Sequence, residues 1–242
     1  MKKLIHNQPF TLESGAILPR LEIAYHTYGT LNADRSNVIW VFHALTGNSE
    51  VADWWEGLFG AGKVLDPNRD FIICANMLGS CYGSSSPISE NPVTQTPFYG
   101  NFPRLVTVRD MVKAHRILAR ELGIQKIKLG IGGSMGGQQL LEWAVQEPER
   151  FRTIIPIATN AKHSSWGIAY NESQRMALEA DSTLWYASPL AGRAGLRAAR
   201  ATALLSYRNY ETYVATQIDE QSTLEDFRAK SYQNYQGEKL VE

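Results

Sequence analysis

Gly130-Ile131-Gly132-Gly133-Ser134-Met135-Gly136-Gly137 is the stretch that decides how this chain is read. It holds G-x-S-x-G as Gly132, Gly133, Ser134, Met135 and Gly136. Alone, that pattern is weak, because glycine and serine are common. Its setting strengthens it. The apolar run Ile127–Ile131 ends just before it, and a helical pattern from Met135 to Val145 follows, closed by Pro148. Strand, sharp turn and helix is the setting of a nucleophile elbow. The turn forces the serine into strained backbone angles, and its neighbours must lack bulk for strand and helix to approach. The Ser134 hydroxyl then projects at a helix N-terminus, where the Met135 N–H and the helix dipole can meet a developing oxyanion. The competing reading is a glycine-rich turn without chemistry.

Outward from the elbow, apolar runs recur at Asn37–Phe42, Phe71–Ala75 and Phe151–Ile157, each read as a strand covered on both faces. Leu21–Tyr28 alternates at period two, and Phe10–Leu12 precedes a turn at Glu13-Ser14-Gly15. Thr107–Leu122 reads as a helix. Strands alternating with helices predict an α/β fold, a mostly parallel central sheet with helices on both faces. Past Ala158 the strand runs stop. Asn171–Glu179, Ala194–Ser206 and Leu224–Gln233 read as helices, so the expected division is a core over 1–162 and a helical lid over 163–242. Gly79–Pro103, rich in Gly, Ser and Pro, is expected to be a long functional or disordered loop.

The 242 residues carry 24 basic and 24 acidic side chains, a formal charge of zero, which argues against a general nucleic-acid binder. A hydrophobic share of 44% supports a sizeable core and excludes wholesale disorder. Cys74 and Cys81 are read as two reduced thiols. The N-terminal MKKLIHNQPF lacks the apolar run of a signal peptide. No stretch reaches the roughly 18 apolar residues of a membrane span, so the expectation is a cytoplasmic protein. No metal-ligand spacing and no P-loop are found.

A second piece of chemistry follows the NVIWVF run, in His43-Ala44-Leu45-Thr46-Gly47. The loop after this strand supplies the second oxyanion N–H in such folds, and Leu45 is the candidate. His43 is read as a loop histidine fixing backbone carbonyls rather than as a general base. A serine nucleophile also needs a histidine base oriented by an acid, in chain order Ser, Asp or Glu, His. Of the five histidines only His163 follows Ser134, and no Asp lies between them. An active enzyme of this design is expected to need about 100 more residues.

The chain resembles the homoserine O-acetyltransferase family of α/β-hydrolase-fold acyltransferases. The matching segments are LESG (12–15), IAYHTYGTLN (23–32), HALTGNS (43–49), GSCYGSSSP (79–87), VRDMV (108–112), GGSMGGQQLLEWA (132–144) and IAYNESQR (168–175). The resemblance implies ping-pong chemistry in methionine biosynthesis: Ser134 takes an acetyl group from acetyl-CoA as co-substrate, with no tightly bound cofactor, and L-homoserine accepts it. It also implies Leu45 and Met135 as oxyanion-hole donors, Arg200 as the clamp on the homoserine carboxylate with Tyr207 seven residues on, and a homodimer through the lid helices. A planar Arg suits bidentate carboxylate binding; otherwise Arg200 is a solvated lid side chain. The triad Asp and His of the family lie past the point matching Glu242, and His163 matches a lid-entrance position instead. The expectation is therefore a truncated chain of low activity, retaining about 10³–10⁴-fold over water. The alternatives are a serine esterase or thioesterase of the same fold, a succinyl-CoA or L-serine variant, or a non-catalytic partner-binding chain.

Overall fold

In the computed structural model residues 1–219 and 227–241 are described. The chain divides into two units, Met1–Ala161 and Lys162–Glu242. The first unit begins with β1 (Lys2–His6), a short hairpin of β2 (Phe10–Thr11) and β3 (Ile17–Leu18), and β4 (Leu21–Tyr28). Then come β5 (Val38–Phe42), the single helical turn α1 (Val51–Trp54), β6 (Phe71–Ala75) and a second hairpin of β7 (Glu90–Asn91) and β8 (Thr96–Pro97). The unit closes with α2 (Val108–Glu121), β9 (Leu129–Gly133), α3 (Met135–Gln146) and β10 (Ile154–Ile157).

The main sheet has the order β1-β4-β6-β5-β9-β10. Pairings are parallel from β6 through β5 and β9 to β10, and antiparallel where β4 joins β1 and β6. β5 is buried along its whole length because both faces are covered. Val38, Trp40 and Phe42 point into a core under α2 and α3, where Trp143 is fully buried. Ile39 and Val41 point the other way, with Ile72, Cys74, Ile131 and Val51, against partly buried Trp54 and Trp55. This alternation is what makes a doubly covered strand read as a continuous apolar run. The indole rings of Trp54 and Trp55 sit 4.9 Å apart.

The α2 boundary lies where Thr107 caps the helix. Its hydroxyl accepts the Asp110 N–H while the Asp110 carboxylate accepts the Thr107 N–H, a reciprocal box that stabilises by about 1 kcal/mol.

Two expectations are corrected. Gly79–Pro103 is not structureless. It carries β7, β8 and a 3₁₀ turn at Tyr99–Asn101, and its serines Ser84, Ser85 and Ser86 are buried. These serines continue the sheet where β6 stops. The Ser84 hydroxyl accepts the Ala24 N–H (3.0 Å) and donates to the Asn76 carbonyl (2.6 Å). Ser85 completes the edge with the Glu22 backbone through its hydroxyl (2.8 Å) and its N–H (2.9 Å). Phe151–Ile157, expected to be a strand buried on both faces, is strand only from Ile154 and lies at the sheet edge, with Ile155 and Ile157 more than a third exposed.

The second unit is helical: α4 (Ser165–Glu179), α5 (Arg193–Leu204), α6 (Tyr210–Gln217) and α7 (Arg228–Val241). α4 starts a turn and a half before the expected Asn171, capped by Ser164, whose hydroxyl accepts the Gly167 N–H. Small residues let α5 approach its neighbours: a Cβ on Gly195 would stand 2.9 Å from the Ala177 carbonyl oxygen of α4. Asp181 ties the α4–α5 connection to the start of α5. It accepts from Thr183 and from the Gly195 N–H, and these bonds hold its carboxyl down at about 2. The first residues of the expected helix Leu224–Gln233, 224–226, lie outside the described residues.

Candidate active site

The site starts from β9. Gly130 and Gly132 face α3, and the sequence has no side chain there because none fits. A Cβ on Gly132 would meet the Gly136 backbone at 2.7 Å and the Phe42 Cβ at 2.9 Å. The strand and helix approach as closely as backbone allows, and the reversal between them falls on Ser134. Its angles, φ 53° and ψ −124°, lie where L-residues are strained by about 1–3 kcal/mol. Ser134 is exposed, it caps α3 without a side-chain bond, and among the described residues its hydroxyl has no hydrogen-bond partner. Met135 is the first residue of α3, so its N–H has no acceptor within the helix.

The loop His43–Gly47, which holds the candidate donor Leu45, leaves the same end of the neighbouring strand. Phe42 of β5 is the register partner of Gly132 in β9, so His43–Gly47 and Ser134 emerge side by side. The seating is tight: a Cβ on Gly136 would lie 2.2 Å from the Phe42 carbonyl oxygen and 2.8 Å from that of His43. Leu45 stands exposed in this loop, whose turn is closed by the Gly47 N–H donating to the Ala44 carbonyl (2.9 Å). Among the described residues neither the Leu45 nor the Met135 N–H has an acceptor.

His43 is buried and has both ring nitrogens committed. The Met77 N–H donates to Nε2 (3.1 Å), which puts the ring proton on Nδ1, and Nδ1–H donates to the Ala44 carbonyl (2.8 Å). Burial pushes its pKa down, and the ring braces the loop by holding the Ala44 carbonyl, the kind of role the sequence suggests, and also the Met77 N–H. His115 is a second brace, under the elbow helix. Gln139 Nε2 donates to the Met135 carbonyl (3.3 Å), leaving Gln139 Oε1 to accept from His115 Nε2 (2.9 Å). Burial lowers His115 to about 4. His26 is occupied with the Ser49 hydroxyl at 2.9 Å.

The turn after β10 reaches the same serine. The Ser134 N–H donates to the Ile157 carbonyl (3.0 Å), and the Thr159 hydroxyl donates to the Ser134 carbonyl (2.7 Å). The sequence reading did not single out Thr159. A threonine after an apolar strand carries no local signal.

Within the second unit Arg200 and Tyr207 come together. Arg200 Nη1 donates to the Tyr207 hydroxyl (3.2 Å), and the guanidinium lies 5.2 Å from the ring centroid. Arg200 Nε is buried without a partner among the described residues. Cys74 is buried, Cys81 is exposed, and both are free thiols. Among the described residues no group of three His, Cys, Asp or Glu is placed to hold a metal, and no helix is long and apolar enough to cross a membrane.

Comparison with known proteins places these features in context. A family model described as the alpha/beta hydrolase fold matches residues 37–211. A homoserine O-acetyltransferase of Chlorobaculum tepidum is 46% identical over 238 residues, covering 97% of this chain and 67% of its own. A crystal structure of a homoserine O-acetyltransferase from Bacillus anthracis superposes with a TM-score of 0.87 at 25% identity, over all of this chain and 71% of that one. An acetylester hydrolase from Corynebacterium glutamicum gives a TM-score of 0.80 at 28% identity, covering 99% of this chain and 70% of that one. The chain spans about two thirds of the length of the curated relatives it matches.

Proposed function

The chain belongs to the homoserine O-acetyltransferase family of the α/β-hydrolase fold, and from that premise we propose that Ser134 carries an acetyl group from acetyl-CoA to the hydroxyl of L-homoserine, a step of methionine biosynthesis. The observation that carries the proposal is the strained, exposed Ser134 at the N-terminus of α3, next to the Met135 N–H and at the same strand end as the Leu45 loop, with neither amide bonded to an acceptor among the described residues. In the first half-reaction the Ser134 oxygen attacks the thioester carbonyl. The Leu45 and Met135 N–H groups receive the oxyanion, the carbon–sulfur bond breaks and CoA leaves as the thiol. In the second, the homoserine hydroxyl attacks the acetyl-serine and Ser134 regains its proton. Donors aimed at the developing charge are the largest expected contribution to rate. Arg200, with Tyr207 against it, takes the carboxylate of the amino acid. A homodimer through the helices of the second unit and a cytoplasmic location belong to the same proposal.

Among the described residues nothing accepts the Ser134 proton, so acylation of this chain is expected to be slow. The test is mass spectrometry of the Ser134 peptide after long incubation with acetyl-CoA or p-nitrophenyl acetate, with Ser134→Ala as control. One acetyl group on Ser134, released faster by L-homoserine than by water, is the expected result. An unmodified Ser134 beside acetylated lysines overturns the acyl-serine reading. The likeness to an acetylester hydrolase favours a second reading, in which water is the acceptor. Release to water that homoserine leaves unchanged selects it.

A further inference from the structure

The turn Ile157-Ala158-Thr159 holds Ser134 from both sides of its backbone, and its own geometry is unusual. Ala158 adopts φ 45°, a left-handed conformation that an alanine enters only at a cost. That bend lets two consecutive groups face the elbow. The Ile157 carbonyl accepts the Ser134 N–H, and the Thr159 hydroxyl donates to the Ser134 carbonyl at 2.7 Å. The fit is close on the carbon side as well, since a Cβ on Gly137 would stand 2.6 Å from Thr159 Cγ2.

The Ser134 carbonyl and the Met135 N–H belong to one peptide plane. Its oxygen receives two hydrogen bonds, from the Thr159 hydroxyl and from the Gln138 N–H at 3.1 Å. A bond to the oxygen fixes the tilt of the plane, and so the direction of the N–H. It also polarises the amide, making the N–H a stronger donor. We propose that Thr159 is a positioning residue for the oxyanion hole, aiming and polarising the Met135 N–H through the Ser134 carbonyl, with the strained Ala158 as the bend that delivers it. This rests on the acyl-serine reading for its consequence but not for its geometry. Strain at two facing positions, Ser134 and Ala158, matches a site whose surroundings over-determine the backbone.

The experiment uses the chain labelled with ¹⁵N-methionine, whose backbone amides are those of Met77, Met111, Met135 and Met176. Thr159→Val keeps the shape and removes the hydroxyl, and Thr159→Ser restores it. In the Val variant the Met135 amide resonance is expected to move while the other three stay. Ser134 acetylation by p-nitrophenyl acetate is expected to slow about tenfold, the size of one neutral hydrogen bond acting on a barrier. The Ser variant is expected to return both readouts to the parent values. If all four resonances move, Thr159→Ala, with its smaller side chain, replaces the Val variant. An unmoved Met135 resonance, a parental acetylation rate in the Val variant, or no rescue by Ser overturns the proposal. If the parent chain itself never acetylates at Ser134, the acyl-serine reading falls, and the Met135 resonance alone decides whether Thr159 holds that amide.

Discussion

Ser134→Gly is expected to make the protein more stable than Ser134→Ala does. Both substitutions remove the hydroxyl, which is exposed and unbonded among the described residues, so neither loses a stabilising contact there. They differ in the backbone. Alanine keeps a Cβ at φ 53°, ψ −124° and keeps the strain, about 1–3 kcal/mol. Glycine releases it, at a cost of about 0.5–1 kcal/mol in the greater freedom of the unfolded chain. The net gain of glycine over alanine is about 0.5–2 kcal/mol. At about 2–4 °C per kcal/mol for a domain of this size, the melting temperature rises by a few degrees. Calorimetry or thermal circular dichroism on the two variants and the parent measures it. A glycine variant that melts at or below the alanine variant would refute the argument, because it would mean that the elbow stores no strain at position 134.

Gly136→Ala, whose Cβ would stand 2.2 Å from the Phe42 carbonyl oxygen, is expected to destabilise by about 1–3 kcal/mol, whereas Gly133→Ala, with nothing nearer than 3.8 Å, stays near parental; urea midpoints compare them. Ser84→Ala is expected to cost about 1–3 kcal/mol, because it strands the Ala24 N–H at a buried edge of β4. Burial holds His115 at about 4 against 6.5 for a free ring, so the unfolded chain binds its proton first on acidification. The stability this gives is whole above pH 6.5 and is lost as pH falls toward 4, by about 3 kcal/mol in total. Urea titrations at pH 7 and pH 5 should show a drop that is smaller in His115→Gln.

What the sequence made legible was steric. β5, β6 and the elbow could be read because double burial leaves no room for a polar residue, and backbone contact leaves no room for a Cβ. Phe42, Gly132 and Gly136 meet in one place, and each is a residue type that place demands. The reading weakened wherever long-range pairing decided the outcome. Gly79–Pro103 looks like loop by composition, yet its serines carry hydrogen bonds to β4 residues about sixty positions away, and serine spells loop unless its partner is known. Phe151–Ile157 looks buried because Phe151, Ile154, Ile155 and Ile157 make it rich in apolar residues. Only its place in the strand order, at the edge beside β9, exposes Ile155 and Ile157.

The same division runs through the site. As candidates, Ser134 and Met135 were legible because a strained turn and a helix N-terminus leave local marks, Leu45 because it lies in the loop directly after the buried strand β5, and His43 because a histidine directly after a buried strand has few roles. Thr159 was not, since its partner lies twenty-five residues away and the bond is to a carbonyl, which every residue type carries. Groups that do chemistry are constrained in kind, and kind is visible in sequence. A group that aims them needs only one donor in the right place, and many residues could supply it. The identity of Thr159 therefore says little, and the strained angle of Ala158, which no composition reveals, says more: a non-glycine residue held at φ 45° beside Ser134 costs stability, and the two bonds it brings to Ser134 are what offset that cost.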